Sequence, residues 1–255
     1  MKLSYILSPL SQFEVVNLIS LNAPIFGYLN ISITNLALYT FFIIFIVVGL
    51  HYYANNDSKL IPNAWSISLE SSFASLSSMV REQVGPQSEK YIPFIYSLFF
   101  FILFGNLISN VPYSFAVTAS GVVSLGLSLT IFIGVTILAF SIHGIKFFAF
   151  FIPNGTPLIL VPLLILIELV SYIARAVSLG VRLFANLTAG HTLVKILSTF
   201  FIQLFKTSIL VAIITIIPFI IFLGILGLEL GVSLIQAFVF TVLTCSYLKD
   251  AINLH

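Results

Sequence analysis

From Leu163 to Phe200 the chain contains no proline, and from Thr207 to Leu248 it contains only Pro218. Both stretches are strongly apolar, so two long helices are the economical reading. At about 1.5 Å per residue each approaches or exceeds ~55 Å, nearly twice the roughly 30 Å hydrocarbon core of a bilayer. Such helices must tilt strongly, bend, or both. Lipid is the only solvent consistent with the whole sequence, because 60% of the 255 residues are apolar and only 7% are charged, a balance no water-facing surface tolerates. Within lipid every backbone polar group must be satisfied internally, which favours helices of about 20 apolar residues.

The rest of the chain divides accordingly, as a single integral membrane domain over residues 1–255. A first span is expected over Ile31–Tyr53, followed by a polar stretch, Ala54 to Lys59. Over Pro62–Val84, Trp65, Leu69, Phe73, Leu76 and Val80 recur at helical spacing, with serines, Glu70, Arg81 and Glu82 on the other face. That pattern predicts an amphipathic helix lying in the interface. Residues 91–142 read as a helical hairpin, two spans interrupted at Val111, Pro112, Tyr113 and Ser114. The stretch from His143 to Pro162 contains Pro153, Gly155 and Pro157 and is too broken for a regular helix. The long helices, 163–200 and 207–248, complete an all-α membrane fold. The N-terminal MKLSYILSPLSQFEV carries one Lys2 and is a poor match to an Arg-rich transit peptide, so the first span is expected to do the targeting. If the spans alternate, Lys59, Arg81, Lys90, Lys146 and Lys249 fall on one face and Lys2 and Lys206 on the other, which makes the first face the inner one.

Composition also excludes function classes. A net charge of +2, from 10 basic and 8 acidic residues, is too sparse for a nucleic-acid partner. The single cysteine, Cys245, excludes an internal disulfide and a thiolate metal cluster, and reads as a small buried apolar residue. No phosphate loop of the form G-x-x-x-x-G-K-[ST] and no H-E-x-x-H metal motif occurs, so the chain has no chemistry of its own on ATP and implies no cofactor.

What remains are charges inside the apolar helices. Glu168, Arg175 and Arg182 follow at intervals of seven, which on a helix drifts only about 20° per step, so they form one stripe. Ser178, Ala185, Asn186 and Ala189 continue it with small or polar side chains that allow another helix close approach. His191 lies about 180° away from Arg182. The last helix carries Glu229, Ser233 and Gln236 on one face, with Gly227 and Gly231 flanking the glutamate as a packing device. If the two helices fold back on each other, residues at equal depth have position numbers adding to a constant. Glu168 with Asp250, Arg182 with Gln236 and His191 with Glu229 give 418, 418 and 420. The expected order is a carboxylate pair near the inner surface, a fixed cation midway, and a His–Glu pair towards the outer surface. Carboxylates and His exchange protons, whereas Arg does not release its own. Arg182 is therefore either a barrier to protons or a buried ion-pair partner; the structural alternative for Arg175 is that it neutralises Glu168, and for His191 with Glu229 that they form a satisfied pair.

SLGVRLFANLTAGHTL from Ser178 to Leu193 and ELGVSLIQAFVFTVL from Glu229 to Leu243 resemble the signature helices of subunit a of F-type ATP synthases. SPLSQFE near the start, FGNLISNVPYSF from Phe104 to Phe115, and the ending SYLKDAINLH add to the resemblance, which covers nearly the whole chain. It implies a stator subunit of the membrane sector, in the mitochondrial inner membrane and fungal-like, working with a rotating c-ring, a peripheral stalk and other membrane-sector subunits. It also implies that Arg182 faces the ring carboxylates with Asn186 and Gln236 beside it. By the same resemblance His191, Glu229 and Asn106 line an outer half-channel, and Glu168 and Asp250 an inner one. Arg175 resembles a second arginine of mitochondrial members, and the stretch before Ser8 resembles a leader that some fungal relatives remove. Two other classes fit worse. A self-contained transporter is expected to have paired broken spans in two halves, and the sequence has no such repeat. A haem-bearing respiratory subunit is expected to pair histidines at one depth, whereas His51, His143, His191 and His255 are scattered.

Overall fold

The computed structural model describes residues 9–22, 30–55, 62–111, 114–151, 160–207 and 215–252. The segment before Ser8, Asn56 to Lys59 of the polar stretch, Pro112 with Tyr113, the Pro153–Pro157 segment and His255 lie outside the described residues, whereas Ala54 and Asn55, expected to be in that polar stretch, end the first helix. Among the described residues five helices are long and apolar enough to cross a membrane, which makes this an all-α multi-pass membrane protein.

The first difference from expectation is at the N-terminal end. Residues 31–34 were expected to begin the first span, but Asn30–Thr34 is a strand (β2) paired antiparallel with Asn17–Asn22 (β1). The sequence Asn-Ile-Ser-Ile-Thr alternates polar and apolar with the period of a strand. The helix starts where capping side chains allow it: Asn35 Oδ1 accepts from the Leu36 N–H at 2.8 Å, and Thr34 Oγ1 from the Ala37 N–H at 3.3 Å. Helix α1 then runs Asn35–Asn55.

Helix α2, Ala64–Val84, begins at Asn63, whose side chain accepts from the Ala64 N–H. It stops at Gly85, where φ is 96°, a backbone conformation suited to glycine, and where the Gly85 N–H returns to the Arg81 carbonyl. Its apolar stripe divides in two: Leu76 and Val80 are buried, while Trp65 and Phe73 stay exposed. Helices α3, Ile92–Ser109, and α4, Gly121–His143, occupy the segment expected to form a hairpin. Each leg packs chiefly on a long helix instead of on the other leg, and an apolar cavity of about 300 Å³ lined by Leu98, Leu127, Ile131 and Val135 lies between them.

The long helices are α5, Val161–Thr207, and α6, Ile216–Ile252. Helix α5 runs past the expected end at Phe200 because FIQLFKT contains neither glycine nor proline to stop it. With 47 and 37 residues they measure about 70 and 55 Å. They are antiparallel, since Phe201 stacks near Phe219 and Phe222 at one end while Arg175 meets Asp250 at the other. The core lies where α2, α3 and α4 meet the inner face of this pair, along Val80, Ile95, Ile102, Leu179, Leu183 and Phe240. The opposite faces of α5 and α6 are left open.

Helices α4 and α5 approach closely at Gly180. A β-carbon there would run into Ser128 Oγ and sit 3.0 Å from both Leu125 Cα and the Ser124 carbonyl oxygen. Small residues let membrane helices pack backbone to backbone, and here backbone atoms leave no slack. Gly180→Ala is expected to destabilise the α4–α5 interface by about 1–3 kcal/mol. The check is the thermal midpoint of the detergent-solubilised protein, with Gly134→Ala on α4 as a neutral control because nothing lies within 4 Å of that position.

Candidate functional site

Helices α5 and α6 place the charged and polar residues in consecutive levels. At the lowest, Arg175 is shared between two carboxylates: its Nη2 lies 3.3 Å from Glu168 Oε1 on its own helix, and its Nη1 3.2 Å from Asp250 Oδ2 on α6. The first contact follows from the seven-residue spacing, two turns along one face. The second fixes the register between the helices. Tyr247, one turn before Asp250, donates its hydroxyl to the Arg175 carbonyl at 3.0 Å and closes this level from above.

Arg182 comes two turns later. Its side chain is exposed, and it makes no hydrogen bond or ion pair with a described residue. It lines a groove of about 500 Å³ shared with Ser178, Arg175, Ser246, Tyr247 and Asp250. Ala174, Ser178, Ala185, Asn186 and Ala189 are exposed along the same face of α5, so this strip of the surface is made of small residues. The expectation placed Gln236 opposite Arg182. Instead Asn186, one turn further, donates through Nδ2 to Gln236 Oε1 at 3.0 Å, so the helices are offset by one turn at that level.

At the highest level His191 Nδ1 lies 3.5 Å from Glu229 Oε1. Glu229 fits because position 190 is glycine: a β-carbon there would come within 2.8 Å of Oε1. Asn106, fully buried on α3, donates to the Ser233 carbonyl at 3.1 Å, and Asn110 donates to the Ser233 hydroxyl at 2.9 Å, which fastens α3 to α6. Seven buried polar side-chain atoms have no hydrogen-bond partner among the described residues, and four of them belong to this region: Asn106 Oδ1, His191 Nε2, Glu229 Oε1 and Gln236 Nε2. Buried polar atoms are normally paired, so four unpaired ones in one region set it apart from the rest of the described interior.

The structure thus brings Glu168, Arg175 and Asp250 together, groups His191 and Glu229 with Asn106 nearby through Ser233, joins Asn186 to Gln236, and leaves Arg182 between the groups. Sequence reasoning missed Tyr247, Asn110 and Gly190. Helical spacing carried signals for two of them, Tyr247 three positions before Asp250 and Asn110 four after Asn106. No group of three or more His, Cys, Asp or Glu among the described residues is arranged to hold a metal ion.

Fold and site define a multi-pass membrane subunit in which α1, α3 and α4 carry no Asp, Glu, Lys or Arg, so that the charges placed within its apolar spanning helices belong to the long pair, α5 and α6. Residues 36–249 match the family model described as ATP synthase A chain. The chain is 62% identical to ATP synthase subunit a of Mycosarcoma maydis, over 97% of this chain and 98% of the relative. It is 48% identical to that of Emericella nidulans, over 99% and 98%, and 45% identical to that of Marchantia polymorpha, over 97% and 99%. The chain belongs to the ATP synthase subunit a family, the proton-translocating subunits of the membrane sector, which are not catalytic on their own.

Arg175→Met leaves two carboxylates facing each other without a cation. Since the arginine side chain is 38% exposed, the expected loss of stability is discounted to about 1–2 kcal/mol. The thermal midpoint of the purified complex measures it, and adding Asp250→Asn is expected to recover part of the loss.

Proposed function

We propose that this chain, as the proton-translocating subunit of the membrane sector, works through two offset half-channels separated by Arg182. His191, Glu229 and Asn106 form the outer one, with Asn186 and Gln236 leading towards the barrier. Glu168 and Asp250 form the inner one, with Arg175 holding both carboxylates in place. Arg182 faces the carboxylates of a rotating c-ring in the mitochondrial inner membrane, and the peripheral stalk and other membrane-sector subunits cover further apolar faces. The long helices tilt to follow the ring.

One observation supports this reading: Glu168, Arg175 and Asp250 are paired and His191 lies against Glu229, whereas Arg182 has no hydrogen-bond or ion-pair partner among the described residues and stands on a strip of small residues. An unpartnered guanidinium in a low-dielectric setting is costly, so it calls for an anion from outside the chain. The small strip permits a partner helix to bring one close. Arg does not give up its proton, so it repels a hydrated proton arriving from either side while attracting a carboxylate. A proton then crosses aboard the ring carboxylate, and each crossing is worth roughly 2.3 kcal/mol per 100 mV.

Arg182→Ala in the assembled complex is expected to abolish ATP synthesis. Synthesis and proton leak are measured together in the same vesicles, and near-normal coupled synthesis would refute the barrier role. Gly190→Ala tests the outer pair separately. Its methyl group displaces the Glu229 carboxylate from His191, and synthesis is expected to fall about tenfold, equivalent to about 1.4 kcal/mol of barrier, in a complex that assembles normally.

A further inference from the structure

The segment before β1 packs where the proposed mechanism has so far given it no role. Residues Pro9–Phe13 form a short 3-10 helix against α5. Phe13 meets the His191 ring edge to face, with centroids 6.3 Å apart and planes at 65°. Its neighbour Gln12 has a buried Nε2 with no hydrogen-bond partner among the described residues. That is a fifth unpaired polar atom, one residue along the chain from the aromatic that touches His191.

The segment is also fastened. Asn35, at the start of α1, donates from its backbone N–H to the Val16 carbonyl at 3.1 Å and from Nδ2 to the Glu14 carbonyl at 3.1 Å, and its Oδ1 accepts from the Val16 N–H at 3.3 Å. The β1–β2 pairing closes the loop between those two points. Phe13 itself packs against the main core. The segment is therefore a strap laid across α5 and tied to α1.

We propose that this strap is the missing wall of the outer proton site: Phe13 is a positioning residue that seats the His191 ring against Glu229, and Gln12 is an additional polar residue of the outer path. The inference rests on reading His191 and Glu229 as a proton-exchanging pair. Glu229 Oε1 lies 3.5 Å from Nδ1 on one side of the imidazole, and Phe13 meets the ring edge to face. An uncharged amide suits a position next in the chain to Phe13, because it donates and accepts hydrogen bonds without competing for the proton. Across from His191 stands Glu229 on α6; the charged residues next to it along the chain elements are Lys195, one turn further on α5, and Glu14, which follows Phe13 in the strap, while α3 brings the neutral Asn106 and Asn110 to Ser233.

The experiment uses the assembled complex in proteoliposomes, with outer pH varied at fixed inner pH and membrane potential. Phe13→Ala is expected to shift the midpoint of the outer-pH dependence of ATP synthesis by about half a unit or more, with the inner-pH dependence unchanged. Phe13→Tyr, which keeps the ring, is expected to restore the wild-type midpoint. Gln12→Leu is expected to lower the maximal rate by about threefold or more. Phe13→Leu is measured alongside, so that if Phe13→Ala fails to assemble, Phe13→Leu and Gln12→Leu decide. Wild-type outer-pH profiles and rates in Gln12→Leu and the assembled Phe13 variants overturn the inference. His191→Gln separates the two ideas. If it alters synthesis while the strap variants do not, only the strap inference fails, and if it too is silent, the reading of the His191–Glu229 pair fails first.

Discussion

The double ion pair of Arg175 with Glu168 and Asp250 is the contact on which the arrangement of this protein turns. A charge in hydrocarbon is costly unless it is partnered. Here one guanidinium partners two carboxylates, one from each long helix, and so sets how α5 lies against α6. Everything further along the helices inherits that register, including the meeting of Asn186 with Gln236 and of His191 with Glu229. The same contact uses up the nearby acidic groups. Two turns on, Arg182 has no carboxylate partner among the described residues, and on the proposed reading its anion comes from outside the chain.

This allocation of charge has an electrostatic consequence. Counting ionised groups, Glu168, Asp250 and Arg175 together carry a net single negative charge, while Arg182 stands alone as a positive one. On the far side Glu229 adds a negative charge beside an imidazole that is either neutral or positive. The order along the helix pair favours cations at the inner group and opposes them midway. On the proposed reading, proton-exchanging groups sit on both sides of a residue that exchanges none, which is the layout a carrier-dependent passage requires.

Much of this was legible in the sequence because helices convert spacing into direction. The seven-residue intervals put Glu168, Arg175 and Arg182 on one stripe, and the antiparallel register followed from matching polar residues by position. Two parts were not legible. The one-turn offset that gives Gln236 to Asn186 depends on side-chain reach and helix packing, which position numbers do not encode. The strand Asn30–Thr34 was hidden because its isoleucines also continue the apolar run of α1, and only the Thr34–Asn35 cap separates the two. Gly190 was equally silent, since the reason for a glycine there is the Glu229 carboxylate reaching over from another helix.

The two sides of α5 make opposite uses of small residues. Towards α4, Gly180 sits against Ser124, Leu125 and Ser128 so tightly that a methyl group has no room, and that packing is complete within the chain. Towards the groove, Ala174, Ser178, Ala185 and Ala189 are just as small yet remain uncovered. Small residues lower the apolar area a helix face offers to lipid, so an uncovered strip of them gains little from the bilayer. They gain from a second helix, which can approach closely enough for dispersion contacts and for a buried ion pair. On the proposed reading that helix belongs to the ring, and the strip must hold it loosely enough to let it move on. Large interlocking side chains there would favour one fixed docking; a smooth strip with a single charge at its centre attracts the passing carboxylate while leaving the surrounding surface free to slide.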